Sequence, residues 1–405
     1  MLIFQPKDIK RKIVGDRFRA LPGMVNYPLR QWMFSFATTN LGLQTISKEK
    51  IIEKSSKYNV IRFGVGETIV AREPVEGSDI LPKLMTNHIG KFTLQKPFIS
   101  EFTEATLVGS TAVGFNKSGH VISETVSPNR LSKTLPINTI LSRKLIRHKI
   151  PQIDTASSLV NIYNRNYFHW IVDCLLRLEG IEYYHAQTGR KPLLIIDSNP
   201  PAWKIESLKL LGYKPEDYIY WNGFGINIKR LVVSSFRREK SLISPVACHW
   251  LRQRVLSNLP KSQDKKSYSS RIYISRPKSA GRQVINEEEV LTALTPLGFV
   301  SYTLENMSFT DQVALFSQAE IVVAAHGAGL TNIVFAQKLI VIELFGSMVA
   351  PFYFLLTQAL GFQYGCLLSE PEINNQYSEK FKGLVVKIDK LQHLVVQMMK
   401  EHSSK

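Results

Sequence analysis

Two glycines follow an apolar run in residues 324–332 (AAHGAGLTN). The run at 320–325 predicts a buried strand, and the glycines allow the tight turn that opens the next helix. There, free backbone N–H groups and the helix dipole attract anions, and Gly327 and Gly329 let a phosphate approach the backbone closely. His326 lies at the mouth of this turn, where it could bond a phosphate or a ribose. On spacing alone, a phosphate site and a turn needed only for packing are equally good interpretations.

A set of basic residues surrounds the end of the strand predicted at 271–276 (RIYISR). Arg276 ends it, Ser275 precedes it, and Lys278 and Arg282 follow. Guanidinium groups bind phosphate oxygens in pairs, and cations held there would stabilise the charge that develops on a diphosphate leaving group. The alternative is a solvated basic loop.

A His–Asp pair lies in residues 166–180 (NYFHWIVDCLLRLEG), which have the apolar period of a helix that ends at Gly180. His169 and Asp173 are four residues apart, so both side chains lie on one helix face. Such a pair can take a proton from an attacking hydroxyl, with one member orienting the other. From spacing alone, a surface ion pair is the simpler interpretation. Trp170 is either a core residue or a platform for a sugar ring.

The composition is that of a globular chain of two or three domains, with 405 residues, 44% hydrophobic and 21% charged. The net charge of +18 suits phosphate-bearing partners: nucleic acid, anionic lipid or a phosphorylated substrate. No apolar run reaches the roughly 18 residues of a membrane span, and the N-terminus lacks the apolar core of a signal peptide. Three scattered cysteines disfavour a disulfide framework. We therefore expect a cytoplasmic protein.

The order of apolar runs and turn signals predicts the fold class. Residues 90–125 are β-rich, with a hairpin at 116–120. Strands and helices then alternate, most regularly from about 270 to 370, which predicts a parallel sheet covered on both faces. Asn286 with Glu289 forms a capping-box pattern, and Ser308 is the expected cap of the next helix.

Taken together, these stretches resemble the family 61 glycosyltransferases (the DUF563 type). The likeness spans about 155 to 350. It rests on Asn166-Tyr-Phe-His-Trp170 with Asp173, on RIYISR with Arg282, Asn286 and Glu287, on Phe309 with Gln312, and above all on His326-Gly-Ala-Gly-Leu-Thr-Asn332 with Phe335 and Glu343.

The resemblance implies an α/β, GT-B-like architecture in which two Rossmann-like halves face a cleft, after a β-rich N-terminal portion. Residues 1–240 would form the acceptor-side domain, 241–375 the nucleotide-sugar-binding domain and 376–405 a tail. It also implies inverting transfer from a nucleotide sugar, usually a UDP-sugar, without a cofactor. No obligatory metal is expected, in agreement with the absence of a DxD motif.

The resemblance also assigns roles to residues. Those of the donor site are Ser275, Arg276 and Arg282 for the diphosphate, His326, Gly327, Ala328, Gly329 and Asn332 for the phosphate turn, and Glu343 for the ribose or base. Those of the acceptor side are Asn166, His169, Trp170 and Asp173. Asp173 is the first choice for the base, with His169 orienting it or exchanging roles with it.

Eukaryotic relatives often carry a signal anchor and cysteine pairs, which this sequence lacks. The expectation is a bacterial enzyme of capsular or surface polysaccharide synthesis. It would act on a glycan or lipid-linked glycan at the inner membrane face, with the +18 charge suiting peripheral contact with anionic lipid.

Three other readings stay open. An NAD(P)-dependent oxidoreductase is disfavoured by the lack of GxGxxG. A nucleic-acid binder has only net charge in its favour, so no nucleic acid is expected. A catalytically inactive binding subunit would not need the intact site residues.

Overall fold

A computed structural model describes residues 44–76, 83–126, 150–163, 165–260, 267–277, 281–372 and 382–403. Its strands are β1 Thr45–Ile46, β2 Ile61–Arg62, β3 Glu67–Ala71, β4 Val75–Glu76, β5 Gly90–Leu94, β6 Phe98–Val108, β7 Val113–Phe115, β8 Val121–Ile122, β9 Gln152–Ser158, β10 Leu193–Ile196, β11 Tyr218–Tyr220, β12 Gly225–Ser234, β13 Arg238–Glu239, β14 Leu242–Ile243, β15 Arg271–Ser275, β16 Val300–Thr303, β17 Ile321–Ala325, β18 Ile340–Phe345, β19 Gln363–Leu368, β20 Glu370–Pro371 and β21 Leu384–Val385. Its α-helices are α1 Lys48–Glu53, α2 Lys83–Thr86, α3 Tyr167–His169, α4 Leu178–Thr188, α5 Ala202–Leu210, α6 Pro245–Ser257, α7 Glu287–Leu294, α8 Phe309–Gln318, α9 Phe352–Ala359 and α10 Ile388–Ser403. None of the described helices is both long and apolar enough to cross a bilayer.

The first sheet mixes parallel and antiparallel strands. Its order is β1-β8-β7-β6-β12-β9-β10-β11, and β2 pairs with β6 as well. Strands β12, β9, β10 and β11 run parallel, while β6 and β7 add antiparallel neighbours. The hairpin predicted at 116–120 joins β7 to β8, and the Asn116 side chain accepts a bond from the His120 amide (2.8 Å). The β-rich prediction for 90–125 is confirmed.

The second sheet is wholly parallel, in the order β16-β15-β17-β18-β19-β4. Alternate residues of β17 enter different cores: Val322 faces one with Phe316 of α8, and Val323 faces the other with Leu394 of α10. Both faces are therefore covered, as the continuous apolar runs predicted. The strand order reverses between β15 and β17, and a crevice at such a point is where open α/β sheets bind ligands.

A short arm from the first half joins the second sheet. After β3 the chain forms β4, which pairs with β19, and then returns through β5 to β6. At the other end of the chain, α10 packs on the same sheet, with the Met398 sulfur against Gly365. The second sheet thus includes elements from outside 241–375, and the predicted division into domains stays a prediction.

Gly180 does not end the helix, so that prediction is wrong. Helix α4 runs on to Thr188 and is terminated by Gly189, whose φ is 70°. A Cβ atom at Gly180 would lie 2.3 Å from the Ser234 Oγ of β12. This glycine therefore serves close packing of the helix on the sheet.

Asn286 does not form the predicted capping box. Its side chain makes no cap bond to α7, and it pairs instead with the backbone of Val386, accepting from N and donating to O at 2.9 Å each. The Asn286 side chain therefore bonds to the backbone that follows β21 and not to the amides of α7. Ser308 does cap α8 as predicted, accepting a bond from the Asp311 amide (3.0 Å).

Candidate active site

His169 and Asp173 lie where the helix winding changes. Helix α3 is followed by a π-helical turn, Trp170–Cys174, a winding that is rare and frequent at functional sites. The His169 Nδ1 lies 2.6 Å from the Asp173 Oδ2, so the predicted pair is formed. Asn166 caps α3, its side chain accepting a bond from the His169 amide (3.3 Å). This bond occupies the side-chain oxygen of Asn166, a residue that was predicted to lie on the acceptor side.

Asp173 is fully buried and is also bound by Arg238. The Arg238 Nε donates to Oδ1 (2.8 Å) and its Nη2 to Oδ2 (3.0 Å). Burial by itself raises the pKa of Asp173, but the His169 bond and the Arg238 charge outweigh it and lower that pKa. Sequence reasoning missed Arg238. The available signal was a cation just beyond the carboxyl end of β12, which runs parallel to β9.

The His169 ring is held on one face and open on another. It stacks on Tyr163, with centroids 4.2 Å apart and planes inclined by 17°. Its side chain is 20% exposed, whereas that of Asp173 is not exposed at all. In the part of the chain that the structure describes, no hydrogen bond engages Nε2, which is therefore free to meet a hydroxyl.

Trp170 is a core residue, so the predicted place on the acceptor side is corrected. It is 1% exposed, and its Nε1 donates to the Ser207 Oγ (2.9 Å). The Lys204 ammonium lies 4.3 Å from the ring centroid. With its ring covered, Trp170 cannot stack on a sugar.

Arg276 and Arg282 meet at the carboxyl end of β15. The buried Nε atoms of both have no hydrogen-bond partner in the described part of the chain, and the Arg282 Nη1 donates to the Met348 Sδ (3.8 Å). Burial lowers the pKa of both guanidinium groups, and the charge of Arg282 lowers that of Arg276 further. Among the described residues, no carboxylate forms a salt bridge with either. Two half-buried guanidinium groups of like charge with buried, unpartnered Nε donors favour a bound anion.

Gly327 makes room for Arg276. A Cβ atom at Gly327 would lie 1.8 Å from the Arg276 Nη1, so a side chain here would require this guanidinium to move. The chain then enters a 3-10 helix, Ala328–Phe335, with the Leu330 amide bonded to the Gly327 carbonyl (3.0 Å). The helix predicted after the turn exists in this tighter winding. This edge of the second sheet therefore combines two guanidinium groups with a helix start.

The other predicted residues of this turn differ in exposure. Ser275, Ala328 and Gly329 are partly exposed at the sheet edge, where a ligand can reach them. A Cβ atom at Gly329 would lie 2.8 Å from the Leu304 Cδ1, so this glycine also serves packing. Lys278 lies outside the described residues.

Glu343 lies behind His326. Its Oε1 is 2.5 Å from the His326 Nδ1, and its Oε2 accepts a bond from the Tyr364 hydroxyl (2.6 Å). The carboxylate is fully buried, so it has no oxygen left for a ribose or base. The geometry differs here from the expected direct contact: Glu343 orients the His326 ring, and His326 is the member nearer the crevice.

Asn332 ties the two halves of the chain together. Its Oδ1 accepts a bond from the Tyr167 hydroxyl (2.5 Å), and its Nδ2 donates to the Gln312 Oε1 and the Gly329 carbonyl at 3.0 Å each. It is fully buried, and its side-chain groups are occupied. Asn332 therefore fixes the turn against α3 instead of touching a phosphate itself. Tyr167, two residues before His169, was missed by sequence reasoning.

Tyr353 on α9 connects the two groups of residues. Its ring lies 5.3 Å from that of His326 and 5.9 Å from that of Phe168, the neighbour of His169. Burial raises its pKa, and the charges of Arg282 and Arg276 act on its phenol. Tyr353 therefore lies between the neighbour of His169 and the turn that carries His326 and the two arginines. The apolar period of α9 gave no signal that a tyrosine of that helix lies there.

Comparison with known proteins shows what this region is similar to. Residues 167–342 match the family described as Glycosyltransferase 61. The chain is also similar to a beta-1,2-xylosyltransferase of Arabidopsis thaliana, with 39% identity over 16% of this chain and 15% of that protein. The matched part thus spans well under two thirds of that relative's length. Both similarities name glycosyltransferases, which confirms the predicted enzyme class.

Proposed function

We propose that this glycosyltransferase moves a sugar from a nucleotide-sugar donor to a hydroxyl group of a glycan acceptor. The observation that carries the proposal is the pair of half-buried guanidinium groups, Arg276 and Arg282, beside the glycine turn, whose buried Nε atoms have no partner among the described residues. A diphosphate has the charge and the oxygen atoms that this arrangement lacks.

The donor end follows from that pair. As the bond between the anomeric carbon and the phosphate oxygen breaks, its electron pair leaves with the diphosphate. Arg276, Arg282 and the start of the 3-10 helix stabilise the developing charge. His326, oriented by Glu343, can donate a ring N–H to a phosphate oxygen at the same edge.

At the acceptor end, either Asp173 or His169 was predicted to be the base, and the geometry supports His169. Asp173 is buried and both its oxygens accept bonds, whereas His169 has a free Nε2 and an exposed edge. His169 therefore takes the acceptor proton, and Asp173 orients its ring. The acceptor oxygen bonds to the anomeric carbon opposite the leaving diphosphate, which inverts its configuration.

The finer parts of the proposal have different support. The parallel second sheet with its switch point, and the parallel strands β9 to β12 of the first, support two Rossmann-like halves in a GT-B-like arrangement. A UDP-sugar donor, independence of metal and a role in bacterial polysaccharide synthesis rest on the family resemblance. The xylosyltransferase similarity makes a UDP-pentose a donor to test first. The oxidoreductase alternative is not favoured by either similarity.

The test is transfer by the purified full chain. UDP-xylose, UDP-glucose, UDP-galactose and GDP-mannose are offered with methyl glycosides as acceptors, with and without EDTA. Released nucleoside diphosphate is measured, and NMR gives the anomeric configuration of the product. We expect transfer with inversion, reduced by about 10²- to 10⁴-fold in His169→Ala. His249→Ala, at an exposed histidine, is the matched control. A product of retained configuration would refute the inverting mechanism, and activity unchanged in His169→Ala would refute the base.

A further inference from the structure

We infer that Arg238 is a positioning residue of the catalytic pair, holding Asp173 and thereby His169 in the geometry that proton removal needs. The inference rests on the proposed function. Nothing in the family resemblance assigns a role to Arg238, and the residue lies outside the stretches that carry it. The inference is supported by the geometry of the β13–β14 hairpin, which contains Arg238.

The first step is the occupancy of the Asp173 oxygens. Among the described residues, Oδ1 accepts only from the Arg238 Nε (2.8 Å), and Oδ2 accepts from the Arg238 Nη2 (3.0 Å) and faces the His169 Nδ1 (2.6 Å). The two guanidinium bonds are parallel, which fixes the plane of the carboxylate as well as its position. A carboxylate fixed in this plane sets the direction of the His169 ring.

The second step is how Arg238 itself is held. Its side chain is 10% exposed, and its Nη1 donates to the Lys240 carbonyl (2.6 Å) in the turn between β13 and β14. Lys240 adopts a left-handed conformation (φ 55°) that closes this turn. The guanidinium is therefore bound at one end by the carboxylate and at the other by its own hairpin.

The third step is the anchoring of the hairpin to the donor side. Leu242 of β14 packs against Ile69, Leu94 and Ala359. Ala359 ends α9, the helix that carries Tyr353 between the two arginines and Phe168. Through this hairpin, the base is placed relative to the helix that borders the donor diphosphate.

The charge of Arg238 has a chemical consequence. A carboxylate that already accepts two bonds from a cation is a poor proton acceptor. The proton that His169 removes from the acceptor hydroxyl therefore stays on the imidazole, and Asp173 stabilises the imidazolium without becoming protonated. Lysine offers a point charge without the planar fork, so it would keep this charge and lose the alignment.

The experiment compares Arg238→Ala and Arg238→Lys with the wild-type full chain. We expect kcat to fall by about 100-fold in Arg238→Ala, the order of loss for a catalytic group displaced by about 1 Å. The Kd for UDP, measured by calorimetry, should not change. Guanidinium chloride at low concentration should restore part of the kcat of Arg238→Ala, with sodium chloride as the control. The acid limb of the kcat profile should move to higher pH, because Asp173 becomes easier to protonate.

The following results distinguish a positioning role of Arg238 from a purely structural one. In a His169→Ala background, Arg238→Ala should cause no additional loss, since the two residues act as a unit. Arg230→Ala, which removes a surface pair with Asp154 (2.6 Å), should leave kcat unchanged. A kcat unchanged in both Arg238 variants would overturn the inference, as would a parallel loss of UDP affinity without guanidinium rescue. Absence of transfer by the wild-type chain would instead overturn the proposed function.

Discussion

Gly327 and Arg276 show how one residue creates the place for another. The guanidinium occupies the volume in which any side chain at position 327 would begin. From the sequence, the glycine was ambiguous between a phosphate turn and a packing turn. Both interpretations apply in the structure. The group that packs against Gly327 is the guanidinium of Arg276, whose buried Nε atom has no partner among the described residues.

Replacing Gly327 by Ala should therefore weaken nucleotide binding. The added methyl group displaces the Arg276 guanidinium, and bonds from a charged donor contribute about 1.5–3 kcal/mol, or roughly 10- to 100-fold in Kd. Calorimetric titration with UDP checks this. Gly66→Ala is the control, because its new Cβ would meet only the Leu94 carbonyl at 3.6 Å. Equal affinities for UDP in the two variants would contradict this account of the turn.

Asp173 makes the stability of the protein depend on acid. Because its pKa in the folded protein is lowered, it stabilises the fold above the unfolded value of 3.8, and this contribution is lost as the pH falls through the folded value. Asp173→Asn leaves Arg238 buried without its counter-charge, which we expect to cost about 3 kcal/mol at neutral pH. Urea unfolding measures the difference, which should shrink below pH 3.8. A difference that does not depend on pH would show that Asp173 is not the ionised partner.

At this scale the sequence singled out candidate residues and not their partners. His169, Asp173, Arg276 and His326 were chosen from their types and their positions in the chain, and their roles stay predictions. Arg238, Tyr167 and Tyr353 were missed because each reaches the site through contacts between distant segments. Trp170 and Glu343 were assigned ligands because residue type does not reveal burial.

Helix α4 shows how far the secondary-structure elements could be predicted from the sequence. Helical periodicity predicted a helix over 166–180 that ends at a glycine, whereas α4 begins at Leu178 and continues to Thr188. Gly180 lies inside the helix because the Ser234 hydroxyl of β12 leaves no room for a Cβ. A glycine can end a helix or allow close packing, and only the neighbouring strand decides which.

Gly180→Ala is expected to destabilise the protein although alanine favours helices. Overpacking costs about 1–3 kcal/mol, which exceeds the propensity gain of at most about 1 kcal/mol. Urea denaturation measures the free energy of unfolding. Ser234→Ala should restore part of the loss in the double variant, and Gln187→Ala on the exposed face of α4 is the control. A more stable Gly180→Ala protein would mean that the helix does not pack on β12 in this way.

Only part of the overall fold could be predicted from the alternation of strands and helices in the sequence. The parallel sheet at 270–370 was predictable, because its central strands β17 and β18 are buried and mostly apolar. The joining of β4 to that sheet was not, because a two-residue strand has no periodicity. The link between the halves, from Tyr167 to Asn332, likewise depends on tertiary contacts alone.

The charge of +18 also belongs to the whole molecule, and it predicts binding to anionic membranes. Each basic residue near an anionic surface contributes about 1 kcal/mol, and salt screens this attraction. We expect the full chain to sediment with phosphatidylglycerol vesicles at low salt and to be released at high salt. Phosphatidylcholine vesicles are the control. Binding that is the same at both salt concentrations would contradict an electrostatic attachment, and a peripheral place at the inner membrane face would lose its support.

The central claim is that the site of Arg276 and Arg282 holds the diphosphate of a nucleotide-sugar donor. Calorimetric titration of the full chain with UDP, GDP and NAD, without added metal, tests it most directly. We predict that one nucleoside diphosphate binds, that Arg276→Ala weakens it by roughly 10- to 100-fold, and that Arg230→Ala does not. Binding of NAD alone, or of a nucleoside diphosphate with equal affinity in Arg276→Ala, would contradict the account.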